Sequence, residues 1–154
     1  MVSKLLDDEI VIASHNKGKI IEFSDLFKDY KLNLSSSADY NIEEPEENGS
    51  SFAANALIKA RTTMIGSGKI AISDDSGLCV DSLNGEPGIY SARWAGSNKD
   101  FAMAMEKIKE KLLELDTKNT NAHFFCALAV VSVSYTHLRA HETVLDLVCR
   151  LLLE

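Results

Sequence analysis

Two neighbouring carboxylates, Asp74 and Asp75, followed by Ser76 and Gly77, close a β-branched run that starts at Ile70. A buried strand ending in this way delivers acidic groups to the rim of a sheet. Both ionised and both buried, the pair would repel, so the position calls for a cation or a shared proton. Side chains alternate across a strand. One carboxylate is therefore expected to coordinate a metal and the other to bond backbone or a second donor, unless the chain turns at Ser76-Gly77. An ordinary Asp/Ser/Gly surface turn uses the same residues.

A second group with chemical potential is Ser14-His15-Asn16-Lys17-Gly18-Lys19. It lies between an apolar run and a helix-period pattern, where free backbone N–H groups and the helix dipole favour an anion and Lys19 adds a full charge. The sequence is not the GxxxxGK[ST] loop, and a solvated helix start is the alternative. A third group is the acidic stretch Glu43, Glu44, Pro45, Glu46 and Glu47. Acids around a proline read as solvated linker, with one of them a candidate to reach a metal.

The elements that must position these groups follow from periodicity. Ile10 to Ala13 reads as a buried strand. Ile20, Phe23, Leu26, Phe27 and Tyr30 fall on one helical face. Asn33 to Ser37 suits a second short strand. Ser50 or Ser51 caps a helix with Phe52, Ala56, Leu57, Ala60 and Met64 as its stripe, stopped by Gly66-Ser67-Gly68. Lys59 lies on the core-facing edge of that helix, where snorkelling of the ammonium to water is expected. Phe101, Ala104, Met105, Ile108, Leu112 and Leu115 make another helix, and Phe124 to Val131 a strand buried on both faces or nearly so. The order is that of an α/β domain with one sheet covered by helices.

Bulk properties narrow the partners. The chain has 154 residues, 45% hydrophobic and 25% charged, the profile of one ordinary domain. A net charge of −7 argues against nucleic acid while permitting a small basic pocket for phosphates. No apolar run approaches the roughly 18 residues that span a bilayer, and the acidic start from Asp7 to Glu9 is unlike a signal peptide. A cytoplasmic protein without membrane partners is expected. Cys79, Cys126 and Cys149 are too few and too scattered for a disulfide framework or a CxxC site.

Several motifs occur in one order: Ser14 to Lys19, Glu47-Asn48-Gly49 with Asn55-Ala56-Leu57 and Lys59-Ala60-Arg61, Asp74 to Leu78, and Pro87-Gly88 with Ser91-Ala92-Arg93-Trp94-Ala95-Gly96. Together, over Ile10 to Val131, the chain resembles the inosine triphosphate pyrophosphatase (Ham1-like) family. The resemblance implies an α/β fold with a mixed central β-sheet flanked by helices. It also implies Mg²⁺-dependent hydrolysis of non-canonical purine nucleoside triphosphates (ITP, dITP, XTP) to monophosphate and pyrophosphate, by a homodimer. By motif position, Asp75 would be the catalytic carboxylate that holds Mg²⁺ and activates water, and Glu47 the second acidic ligand. Ser14, Asn16 and Lys19 would hold the phosphates, with His15, Lys17 and Gly18 on the same loop and Lys59 and Ser76 contributing. Alternatives are a nucleotide- and Mg²⁺-binding fragment without turnover, a Maf-like nucleotide pyrophosphatase and an unrelated structural domain.

The resemblance stops after the Phe124 strand. The family's further strands, its Gly-Phe-Gly-Tyr-Asp-Pro loop and its Ser-His-Arg motif do not occur. Residues 1–133 are read as an incomplete pyrophosphatase domain, and residues 134–154 as a tail similar to translated vector sequence and not native. The C-terminal strands are expected to be missing, leaving a bare sheet edge. The alternatives for the tail are an amphipathic helix through Leu138, Val144, Leu145, Val148, Leu151 and Leu152, or metal binding by His137, His141 and Cys149.

Overall fold

A computed structural model describes residues 9–132 and two further stretches of strand backbone, Ala140–Glu142 and Leu147–Val148. The chain divides into two compact units, Met1–Asp74 with Ala127–Glu142 and Asp75–Cys126 with Thr143–Glu154.

The first unit opens with strand β1 (Glu9–Ile12), helix α1 (Lys17–Phe27) and a 3₁₀ turn at Lys28–Tyr30. Strand β2 (Asn33–Ser36), a 3₁₀ turn at Ser37–Tyr40, an irregular stretch, helix α2 (Phe52–Ser67) and the start of strand β3 (Ile70–Val80) follow. β1 pairs parallel with β2 (Ile10 opposite Leu34) and with β3 (Ile10 opposite Ile70). Ile10, Ile12, Ile70 and Ile72 pack with Phe23 of α1, and Ile20, Phe27 and Leu34 close over them. Removing Phe23 from water contributes about 2 kcal/mol. Leu26 and Tyr30, expected on the same stripe, are exposed. Tyr30 leaves the face because the α-helix ends at Phe27 and the tighter 3₁₀ turn, three residues per turn, rotates it outward. Leu26 sits a helical step to one side of Phe23 and Phe27.

Helix α2 is capped as expected. The Ser51 hydroxyl accepts the Ala54 N–H at 3.1 Å, and Gly68, at φ +69°, ends the helix with its N–H on the Met64 carbonyl. Its buried face holds Phe52, Ala56 and Ala60, but also Asn55, Lys59 and Thr63. The Ser73 hydroxyl of β3 donates to the Ala56 carbonyl. Ile70 and Ile72 of β3 face α1 while Ser73 faces α2, so the two helices cover opposite sides of the sheet.

In the second unit β3 continues to Val80 and is followed by 3₁₀ turns at Asp81–Leu83 and Gly88–Tyr90, a single helical turn α3 (Ser91–Trp94) and helix α4 (Phe101–Glu114). Leu78, Val80, Leu83, Ile108, Leu112 and Ala122 form its core, with Trp94 and Met105 against it. The Ser91 hydroxyl accepts the Leu78 N–H at 2.9 Å and donates to the Gly88 carbonyl at 2.6 Å, fixing α3 to β3. The expectation that the strand ends at the carboxylates is therefore corrected. Leu78 and Val80 keep the inward alternation going, so Asp74 and Asp75 lie in mid-strand rather than at its tip.

Strand β4 (Ala122–Val131) runs from the second unit into the first, where the sheet order is β2-β1-β3-β4-β5. Burial on both faces is not found: Ala127 and Ala129 are buried, whereas Phe124 and Val130 are about half exposed. The strand alternates, as a one-sided antiparallel strand does. The edge expected to be bare carries two short antiparallel stretches, β5 (Ala140–Glu142, Ala129 opposite Ala140) and β6 (Leu147–Val148, Phe124 opposite Leu147). Strand thus replaces the helical alternative at those positions, and the sheet is mixed. The His137, His141 and Cys149 ligand set lies outside the described side chains.

Candidate active site

The loop from Ser14 to Lys19 starts where β1 ends. The Ala13 N–H donates to the Ile72 carbonyl at 2.8 Å, which carries the β1–β3 ladder up to the loop. Ser14 is buried, and its hydroxyl accepts the Asn16 N–H at 3.1 Å. Asn16 caps α1, its side-chain oxygen accepting the Gly18 N–H at 2.9 Å. No acidic residue occupies the first turn, so the positive end of the helix dipole is not neutralised locally. His15, Lys17 and Gly18 are exposed on this loop. Lys19 turns toward β3, its Nζ 2.6 Å from Asp74 Oδ2.

That contact separates the two carboxylates. Asp74 lies two residues past Ile72 on the side that faces α1, and there it meets Lys19. Asp75 is on the Ser73 side of the strand and is only 7% exposed, while Ser76 is exposed. The expectation that one acid takes a second donor is met by Asp74, whose donor is a lysine rather than backbone.

A second ion pair lies on α2. Lys59 is buried, with Nζ 2.7 Å from Glu47 Oε1. Snorkelling is thus corrected: the ammonium stays inside because a carboxylate meets it there, which offsets the cost of burying the charge. Glu47 is half-buried, whereas Glu43, Glu44 and Glu46 are exposed, so one acid of the run is picked out and the others read as solvated loop. Asn55, one turn before Lys59 and 2% exposed, accepts the Gly49 N–H on its side-chain oxygen at 2.8 Å. Asn55 was not among the expected site residues. Its signal was available: a polar residue four positions from Lys59 on the face predicted to be apolar.

Among the described residues no group of three or more His, Cys, Asp or Glu is arranged to hold a metal ion by itself. Glu47, in the first unit, and Asp75, in the second, are each a carboxylate, the kind of ligand Mg²⁺ commonly takes together with substrate phosphate oxygens. No described helix is long and apolar enough to cross a membrane.

Fold and site define the class: an α/β domain with a mixed sheet, a helix-start loop and two lysine–carboxylate pairs. Residues 10–145 match the model of the Ham1 family, and the chain belongs to that family. It is 48% identical over 124 residues to the dITP/XTP pyrophosphatase of Rhodospirillum centenum, covering 80% of this chain and 61% of that protein. It is 46% identical over 128 residues to the enzyme of the same name from Zymomonas mobilis, covering 82% and 61%. The chain thus spans about three fifths of these relatives' length. Among solved structures it resembles a HAM1 protein from Coxiella burnetii, with TM-score 0.79 and 35% identity over 85% of this chain and 67% of that one. The Ham1 protein of Staphylococcus aureus gives TM-score 0.75 and 39% identity over 85% and 66%.

Proposed function

We propose that this chain binds and hydrolyses non-canonical purine nucleoside triphosphates of the ITP, dITP and XTP type, using Mg²⁺ and releasing the monophosphate and pyrophosphate. The observation that carries this reading is the pair of buried or half-buried lysines, Lys19 and Lys59, each held against a carboxylate within the unit that also presents the α1 helix start. A triphosphate needs several cations around it, and phosphoryl transfer needs positioning and charge neutralisation more than covalent help. The relatives named dITP/XTP pyrophosphatase supply the substrate class.

In this reading Ser14, Asn16 and Lys19, with the backbone of His15, Lys17 and Gly18, bind the phosphate chain at the helix start. Lys59 neutralises further phosphate charge, and Ser76 holds the substrate beside Asp75. Glu47 and Asp75 would hold Mg²⁺, assigned to it by motif position and by the preference of that ion for carboxylate oxygen. Mg²⁺ bound there would supply the charge that polarises phosphate oxygens. Asp75 accepts a proton from water as the water oxygen bonds to the α-phosphorus. The bond from that phosphorus to the α–β bridging oxygen breaks, and its electron pair leaves on pyrophosphate. A cytoplasmic homodimer belongs to the same proposal, on the family resemblance.

Pyrophosphate release from ITP, with GTP as control and Mg²⁺ present or withheld, tests it. Mg²⁺-dependent release that favours ITP is expected. A folded chain that binds ITP without releasing product is instead a binding module.

A further inference from the structure

We infer that Asn55 is a positioning residue for the Glu47 carboxylate, acting through the backbone of Gly49. The inference rests on the reading of Glu47 as a metal ligand. Glu47 belongs to a stretch with no regular secondary structure, and a carboxylate on such a stretch is aimed only if the chain on either side of it is tied down. Two ties are present. Glu47 reaches Lys59 at 2.7 Å, and the Gly49 N–H reaches the Asn55 side-chain oxygen at 2.8 Å.

The two ties fall on neighbouring turns of one helix. Asn55 and Lys59 are four residues apart on α2, a rise of about 6 Å along the helix. The Asn48 N–H bonds to the Glu46 carbonyl at 3.1 Å, a tight turn centred on Glu47. The turn and the glycine that follows it meet two anchors one helical turn apart, Gly49 on Asn55 and Glu47 on Lys59.

A second observation requires the same approach. A Cβ at Gly49 would lie 2.6 Å from Asn55 Oδ1, 2.8 Å from Ala54 Cβ and 3.0 Å from the Asn55 nitrogen. Only glycine lets the chain come this close to the helix. The Asn55 backbone N–H is already bonded to the Ser51 carbonyl at 3.0 Å, so the helix does not need the side-chain oxygen. A buried amide at a position where an apolar residue would pack is thus explained by what it holds.

The test titrates Mn²⁺ alone into the full chain, following free ion by electron paramagnetic resonance, together with hydrogen exchange at the Gly49 amide. Asn55→Ala and Gly49→Ala are expected to weaken Mn²⁺ binding about tenfold or more, the usual scale for groups that orient a ligand. Asn55→Asp, which keeps an acceptor for the Gly49 N–H, should recover most of the loss in Asn55→Ala. Ser51→Ala removes a different cap of the same helix without touching Gly49, and should bind as the wild type does. Gly49 exchange should quicken in Asn55→Ala. If Asn55→Ala does not fold, Gly49→Ala and Asn55→Asp carry the comparison. Wild-type Mn²⁺ affinity in Asn55→Ala alongside weakened binding in Glu47→Gln overturns the inference, as does unchanged Gly49 exchange. Wild-type affinity in Glu47→Gln removes Glu47 from the metal, a failure of the underlying reading; the role of Asn55 is then decided by Gly49 exchange.

Discussion

The two lysine–carboxylate pairs of the first unit rest on different supports. Lys19 stands in the first turn of α1 and Asp74 in mid-strand on β3, so regular elements hold both partners. Lys59 is likewise on a helix, but Glu47 comes from irregular chain tied down through Gly49. Burial differs in the same sense. The side chains of Lys59 and Glu47 are 7% and 34% exposed, those of Lys19 and Asp74 28% and 13%. In one pair the cation is the buried member and its counter-charge is brought to it; in the other the cation keeps a route to water. A charge on a rigid element needs only a partner in the right place, whereas a charge on a loop also needs something to hold the loop.

Stability separates the pairs most directly. Glu47→Gln removes a charge partner from a buried ammonium and is expected to cost about 2 kcal/mol, below the usual figure for a buried pair because Glu47 is partly solvated. Asp74→Asn should cost about 1 kcal/mol or less, since Lys19 can turn to water. Urea denaturation of both variants measures this, and equal losses would break the comparison.

Catalysis sharpens it further. Asp75→Asn keeps the shape of the side chain and removes its basicity. A loss of about 10²-fold in pyrophosphate release is expected from the usual contribution of a general base. An unchanged rate in the same assay would take Asp75 out of the mechanism.

The smallest effect lies where a carboxylate is held without a lysine as main partner. The Ser36 backbone N–H, at 2.7 Å, and its hydroxyl, at 2.8 Å, hold the Asp39 carboxyl below its ordinary value. Carboxyls lowered in the folded state stabilise it above their unfolded values, and that contribution is lost as pH falls through the folded ones. The melting temperature should therefore decline modestly on acidification through the carboxylate range. The decline should be shallower in Asp39→Asn, measured by thermal melts across pH. The same slope in both would show that the Ser36–Asp39 turn carries none of the pH dependence.

Much of the fold was legible because it depends on neighbours in sequence. Ser51 as a cap, Gly66-Ser67-Gly68 as a stop and a strand over Ile10 to Ala13 all express local period and local hydrogen bonding. The failures were also local in origin. A 3.6-residue period does not carry Tyr30 through a 3₁₀ turn, and the Ser76-Gly77 pair has turn chemistry although β3 runs on through it. Phe124 and Val130 are half exposed in an apolar run because such a run does not state how many of its faces are covered.

The candidate residues themselves, Ser14 to Lys19, Glu47, Lys59 and Asp74 to Ser76, were determined by the sequence alone, since residue type and motif order are properties of the chain. Their partners were not. Lys19 and Asp74 are 55 positions apart, and nothing between them in sequence says that one will reach the other. Glu43, Glu44, Glu46 and Glu47 are alike as acids in a loop, and only tertiary structure decided which one meets a lysine. The physical reason is that burying Lys59 on the packed face of α2 requires a counter-charge, and the close approach of Gly49 to Asn55 brings Glu47 within its reach.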